Sequence, residues 1–212
     1  MASQWGPRID VESLPDLYEQ QEVVPFTVPP GGIDNLSLSS TDVILIPQIG
    51  EVSVDFQGYF RVARENPTTD DWTTASVYVN LIDLRLRGET PATGQITARL
   101  NPDFVSAGQT FPPGTTAGSR AGSASCRIAT AASFDVPQLG MTLFNKEPIL
   151  LMNDGIEAIP PVEDPNGQAH LYLLPLFDSS DPDGQPVAYL KSLRYTVGNY
   201  ISQAEAEEFR QM

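Results

Sequence analysis

The chain has 212 residues, of which 41% are hydrophobic, and its formal net charge is −15. This length suits one large β domain or two small ones and is sufficient for a hydrophobic core. A strongly acidic chain repels phosphate backbones and anionic lipids, so nucleic acid and membrane insertion are not expected. The single cysteine, Cys126, rules out an intramolecular disulfide.

The first eight residues contain no basic segment followed by an apolar one, so no secretory signal is visible. Apolar stretches elsewhere are far shorter than the ~20 residues that a membrane-spanning helix needs. We therefore expect a soluble protein that is cytoplasmic or otherwise not secreted. The lone cysteine agrees with a reducing compartment.

Residues 1–36 are predicted to form an acidic, proline-rich N-terminal arm. Because proline fixes φ and lacks a backbone donor, no long helix or central strand fits this segment. Several of its apolar side chains are too hydrophobic for a solvated tail, and we expect them to dock on the chain's own body or on a protein partner. These partner-binding candidates are Trp5, Leu17, Tyr18 and Phe26.

Strand patterns begin at residue 37, where short apolar runs are rich in β-branched and aromatic residues. The longest run, Thr73–Leu86, alternates with period two and predicts one buried face and one partly polar face. Residues 101–124 are rich in glycine, serine, threonine and proline, which predicts either a long mobile loop or, as we prefer, the connector between two units. The four shorter predicted strands are Val43–Ile46, Glu51–Phe56, Tyr59–Ala63 and Gln95–Leu100.

The same kind of pattern returns after the connector and predicts five further strand segments. The tail differs, because Ser202 followed by Glu205 fits a capping box and predicts a helix over 202–212. The five strand segments are Ala124–Val136, Met141–Phe144, Pro148–Met152, Gln168–Phe177 and Pro186–Val197.

Two clusters of residues recur 90 positions apart: Ile46–Gly50 resembles Val136–Gly140, and Gly94–Leu100 resembles Gly184–Leu190. We interpret this as a tandem duplication; the alternative is that hairpins need similar turn residues wherever they occur. The predicted fold is all-β, an antiparallel sandwich or barrel made of two repeats of about 90 residues. The predicted units are the arm at 1–36, a first repeat with its connector at 37–124, a second repeat at 125–201 and a C-terminal helix at 202–212.

Candidate catalytic residues are few. His170 is the only histidine and stands in a predicted strand, where a surface or hydrogen-bonded histidine is the alternative to a general base. Asp83 interrupts an apolar strand, so its carboxylate needs a partner or water, and Arg85 offers a structural ion pair. Cys126 beside Arg127 could have a lowered thiol pKa, although a small buried strand residue is the simpler interpretation.

Zinc-type sites need several cysteine or histidine ligands, and the chain has one of each. A hard cation needs only oxygen, and Asp178, Asp181 and Asp183 share one loop that could surround Ca²⁺. The alternative is an Asx-rich hairpin turn, because the corresponding loop Gly88–Gly94 contains Glu89 as its one acidic residue. No other cofactor is expected.

Two functions fit these features. The scarcity of histidine, cysteine and lysine favours a non-enzymatic β-sandwich protein for binding or assembly, which contacts protein partners or its own copies through its arm or loops. The alternative is a small-molecule-binding β-barrel or sandwich enzyme with acid–base carboxylates and tyrosines in a pocket between the sheets. A filled core with an exposed apolar patch would favour the first function, and an enclosed pocket the second. The tyrosines are Tyr59, Tyr78, Tyr172, Tyr189 and Tyr195.

Overall fold

The structure, a computed structural model, describes residues 9–14, 16–17, 28–113 and 123–211, with the backbone alone at positions 16, 17, 166 and 170. These residues contain thirteen β-strands and one α-helix, and no helix among them is long and apolar enough to cross a membrane. The first strands are β1 (Asp16–Leu17), β2 (Gly32–Ile46), β3 (Gly50–Arg64), β4 (Val77–Thr90), β5 (Gly94–Leu100) and β6 (Ala107–Phe111). The later elements are β7 (Ala124–Thr130), β8 (Ala132–Val136), β9 (Met141–Asn145), β10 (Ile149–Ile156), β11 (Asp164–His170), β12 (Leu174–Asp178), β13 (Ala188–Tyr200) and α1 (Gln203–Arg210).

The strands close into one barrel. The long strands β2, β3 and β4 pair in order, and β13 returns to pair with β2. Each of the other positions around the ring, which we call staves, is occupied by two consecutive strands. β5 and β6 share the stave that pairs with β4. The next three staves consist of β7 and β8, of β9 and β10, and of β11 and β12, and they continue the ring to β13. The result is an antiparallel barrel of eight staves in which ring order follows chain order.

This architecture confirms the prediction of an all-β antiparallel fold and decides for the barrel, because the β13–β2 pairing closes the ring. The C-terminal helix is also confirmed. The Glu205 N–H donates to Ser202 Oγ at 3.2 Å, and the Ser202 N–H donates to the Glu205 carboxylate at 2.8 Å. The segment predicted as a connector contains β6, where Gly108 permits close strand contact because a Cβ there would lie 2.0 Å from the Arg127 carbonyl oxygen.

The inward-facing residues of β4 are at odd positions in its first half and at even positions in its second half. The register with β3 shifts between the pairs Arg61–Asp83 and Val62–Leu81, so Ile82 is an extra residue. Such a bulge moves the side-chain alternation by one position, which leaves Asp83 on the outer face. The buried apolar residues of β4 are Val77, Val79, Leu81, Leu84 and Leu86.

The two ends of the barrel differ. At the hairpin end, tight turns at 47–49, 91–93 and 137–139 join the strands, and Gly50 and Gly140 both have positive φ, at 100° and 63°. These matching turns agree with the proposed duplication, which stays a prediction. At the loop end, longer segments such as 65–76 and 157–163 join the strands. Apolar side chains fill the hairpin half of the interior, among them Ile44, Ile46, Val54, Phe56, Ile96, Val136, Leu143 and Leu176.

Residues 9–14 of the predicted arm pack on the outside of the same barrel, whereas residues 32–36 begin β2 in the barrel wall, so the expectation that no central strand fits residues 1–36 is wrong there. Ile9 is 5% exposed and packs with Ala63, and its N–H donates to Asn80 Oδ1 at 2.7 Å. The arm therefore docks on its own body over residues 9–14, whereas contact of the arm with a protein partner stays a prediction. Helix α1 covers another part of the outer wall, where Ala206 is buried.

Candidate functional site

The loop half of the barrel is hollow. It holds a cavity of about 1090 Å³, counting space open to solvent, which reaches from Arg64 at the loop end to Asp42 in the middle of the barrel. Small inward side chains such as Ala98 and Ala132 leave room here, whereas larger residues fill the hairpin half. Most of the wall is apolar and includes Leu38, Phe60, Leu81, Ile128, Leu151 and Leu193.

Asp42 on β2 is the buried acid of this cavity. It is 1% exposed, and no described residue forms a hydrogen bond with its Oδ1. Burial raises the pKa of its carboxyl group from 3.8 to about 7, and the nearby Ser40 hydroxyl, outside hydrogen-bonding geometry, offsets part of this increase. Near neutral pH, Asp42 therefore populates both the acid and the carboxylate form, as a general acid–base group requires.

Two more buried polar atoms on cavity-lining residues lack a hydrogen-bond partner within the described part of the chain. They are Ser40 Oγ and Asn153 Nδ2. The amide of Asn153 is held by its other end, because Oδ1 accepts the Gly155 N–H at 3.0 Å. An unpaired buried polar group costs about 1–3 kcal/mol, so these three atoms need water or a bound molecule in the cavity as their partner.

Tyr195 and Cys126 add a phenol and a thiol to the wall. The Tyr195 hydroxyl donates to the Met152 carbonyl oxygen at 3.3 Å, and burial raises the pKa of Tyr195, so the phenol stays protonated. Burial also raises the pKa of the Cys126 thiol to about 12, against a smaller opposing effect of Arg127. The thiol is therefore not an activated nucleophile at neutral pH.

A buried ion pair closes part of the loop end. Arg64 and Asp34 are 1% and 0% exposed, and they meet through an Nε–Oδ2 contact and an Nη2–Oδ1 hydrogen bond of 3.1 Å. Arg64 Nη1 also donates to the Pro30 carbonyl oxygen at 2.9 Å, and the Tyr200 hydroxyl donates to Asp34 at 3.2 Å. Because all three nitrogens of Arg64 are engaged, this cation is not free to neutralise an anionic ligand in the cavity.

Asp83, the predicted candidate acid, lies on the outer wall and not in the cavity. It accepts a hydrogen bond from the Tyr59 hydroxyl, and its carboxylate oxygens lie 3.4 Å from Arg85 Nε and 3.2 Å from Arg210 Nε. These contacts tie β4 to α1. The geometry is that of a structural ion-pair network.

The other predicted acid–base and metal residues belong to other strands and loops than Asp83. His170 is the last residue of β11, opposite Leu150 in the ladder, and its side chain is outside the described atoms. Asp178 Oδ1 accepts the Ser180 N–H at 3.0 Å, as in an Asx turn. Within the described ranges, no three histidine, cysteine, aspartate or glutamate side chains are grouped to hold a metal ion.

Among the arm candidates, the structure places only the backbone of Leu17, which pairs with Asp34 in the short parallel contact between β1 and β2. The other three, Trp5, Tyr18 and Phe26, lie outside the described residues.

Asp42 and Ser40 were not among the predicted site residues, although the sequence carries a signal for them. At even positions from 36 to 46, the inward face of β2, the chain has four leucine or isoleucine residues interrupted by Ser40 and Asp42 alone. Asn153 carries no such signal, because its strand does not alternate clearly between apolar and polar residues.

Comparisons with known proteins add a family and a relative of known structure. The model of a family described as "Family of unknown function (DUF6073)" matches residues 2–207. No curated protein matches the chain. The solved structure of DynF, from the dynemicin biosynthesis pathway of Micromonospora chersina, is 44% identical with a TM-score of 0.89, and the match covers 94% of this chain and 95% of DynF.

The preferred prediction, a non-enzymatic β-sandwich protein for binding or assembly, is wrong. The fold is a barrel with a hollow interior, and the similar structure belongs to a protein of a biosynthesis pathway. Both findings favour the alternative, a small-molecule-binding barrel. On the match over residues 2–207, the chain is a member of the DUF6073 family.

Proposed function

We propose that this protein binds a largely apolar small molecule inside its barrel and presents Asp42 to it as an acid–base group. The observation that carries the proposal is the hollow apolar interior with three unpaired polar atoms on Ser40, Asp42 and Asn153. The place of DynF in a biosynthesis pathway supports a role in making or handling a small molecule.

The chemistry of the wall restricts the ligand. With Arg64 held by Asp34, the cavity offers a neutral or negative polar site, which favours a neutral ligand over an anion. Protonated Asp42 donates a hydrogen bond to a carbonyl oxygen, and ionised Asp42 accepts a proton from an acidic O–H or C–H group. Ser40 and Asn153 then orient the polar part of the ligand.

Filling the cavity is expected to abolish binding. In Leu151→Trp the indole occupies the space that the ligand needs, so the affinity for Nile red, a neutral apolar dye, should fall by about tenfold or more. The matched control is Leu150→Trp, one residue away on the same strand and absent from the cavity wall. Fluorescence titration gives both affinities, and thermal unfolding confirms that both variants fold. Equal affinities in the two variants would place the dye elsewhere and contradict the proposal.

Binding of a hydrogen-bond acceptor should follow the protonation of Asp42. For 2-acetylnaphthalene, which has one carbonyl oxygen, the affinity should fall about tenfold from pH 6 to pH 8, because only the protonated fraction can donate. Calorimetry on Asp42→Asn should show affinity that is independent of pH, since the amide donates throughout this range. A wild-type affinity that does not change with pH would remove Asp42 from ligand recognition while leaving the cavity as the binding site.

A further inference from the structure

A second concave site lies on the outer wall of the barrel, beside the C-terminal helix. Its volume is about 590 Å³, counting space open to solvent, and we call it the arginine groove. The strands β4 and β5 form its floor, and the end of α1 forms one side. Its side chains include Arg85, Arg87, Arg99, Asp135, Phe209 and Arg210.

The groove concentrates positive charge on an acidic protein. It holds four of the twelve lysine and arginine residues of a chain whose net charge is −15. Arg85 and Arg99 stand directly opposite each other in the β4–β5 ladder. Like charges in this position repel each other and are destabilising, so a negatively charged group between them would be stabilising.

The carboxylates of the chain neutralise only part of the positive charge of these arginines. Arg99 Nη2 lies 3.3 Å from Asp135, and Arg85 shares Asp83 with Arg210, which also pairs with Glu207 at 3.1 Å. Three carboxylates therefore face four arginines. Arg87 is exposed, and among the described residues it forms no ion pair.

We propose that the arginine groove binds the oxyanion of a small molecule, a phosphate monoester or a carboxylate. Guanidinium groups from β4, β5 and α1 line the groove together, which suits a group with several oxygens. Phe209 is half-buried at the same place and offers an apolar surface for the organic part of such a ligand.

The groove and the interior cavity are separate sites on the two faces of one wall. Leu86 and Ala98 contribute to both, since the strands that carry them have the cavity on one side and the groove on the other. The interior takes a neutral apolar molecule and the groove takes an anion, so two different ligands can be bound at once.

Calorimetry with the full-length protein at constant ionic strength tests the proposal with three probes: inorganic phosphate, phenyl phosphate and benzoate. Phenyl phosphate is expected to bind with a dissociation constant below about 1 mM. In Arg87→Gln/Arg99→Gln the affinity should fall about tenfold or more, the effect of losing charge-assisted hydrogen bonds. Tighter binding of phenyl phosphate than of benzoate assigns the groove to phosphate, and the reverse order assigns it to carboxylate.

The control Lys191→Gln/Arg194→Gln removes the same charge from β13, away from the groove, and should retain the wild-type affinity. Thermal unfolding without anion checks both double variants, and Arg87→Gln alone serves if the groove variant is unstable, because Arg87 is exposed. The proposal fails if no probe binds at about 10 mM or if both double variants weaken binding equally. Nile red affinity, measured in parallel, reports on the interior cavity independently.

Discussion

The protein is expected to lose roughly 4 kcal/mol of unfolding free energy between about pH 4 and pH 8 through Asp42 alone. The carboxyl group titrates near 3.8 when unfolded and near 7 when folded. Between these values the folded state holds a proton that the unfolded state has released, so stability falls as pH rises. The contribution is fully present below pH 3.8 and is lost as pH passes 7. Urea unfolding at a series of pH values measures this slope.

Asp42→Asn should remove that slope and make the protein about 2–3 kcal/mol more stable than the wild type at pH 8, since a neutral amide is cheaper to bury than a carboxylate. At pH 5 the two proteins should differ by less than about 1 kcal/mol. The control is Asp55→Asn, which removes an exposed carboxylate from the adjacent strand and should retain the wild-type slope. A slope that survives in Asp42→Asn would mean that the carboxyl group is solvated in the folded protein.

Arg64→Met is expected to lower the free energy of unfolding by about 3–5 kcal/mol. The substitution leaves the Asp34 carboxylate at 0% exposure without its cation and removes the hydrogen bond to the Pro30 carbonyl oxygen. The effect is large because a buried unpaired charge keeps its desolvation cost and loses the attraction that offsets it. Urea unfolding at pH 7 measures the loss.

The double variant Asp34→Asn/Arg64→Met removes both charges and should recover at least half of that loss. Recovery would show strong coupling between the two residues, as expected for a pair that is buried together. If Arg64→Met costs less than about 1 kcal/mol, the pair is solvated and Arg64 is available to ligands in the cavity.

Much of the fold follows from local patterns. Period-two alternation located most of the strands, and the Ser202–Glu205 capping box located α1, because both depend on residues that are close along the chain. The break in the alternation of β4 was also visible in the sequence, where Val79 and Leu81 are followed by Leu84 and Leu86. Its cause, the bulge at Ile82, became clear only from the pairing with β3.

The candidate site followed much less from local patterns. Asp83 and Asp42 are both acidic residues within apolar strands, but only Asp83 was predicted as a candidate acid. The bulge turns Asp83 outward to Arg85 and Arg210, whereas the regular alternation of β2 turns Asp42 into the cavity. The difference depends on register and on which face closes around the interior, and neither is a local property of the chain.

The sequence by itself determined the strand content, the turns at Gly50 and Gly140 and the C-terminal helix, because each follows from short-range backbone and side-chain preferences. Only the tertiary structure decided that β13 closes on β2, and with it that the protein is a barrel with a space inside. Closure brings together staves that are far apart in sequence, so Ser40, Asp42 and Asn153 become neighbours of one cavity. Because α1 follows β13, the same closure brings Arg210 to the three arginines of the β4–β5 hairpin.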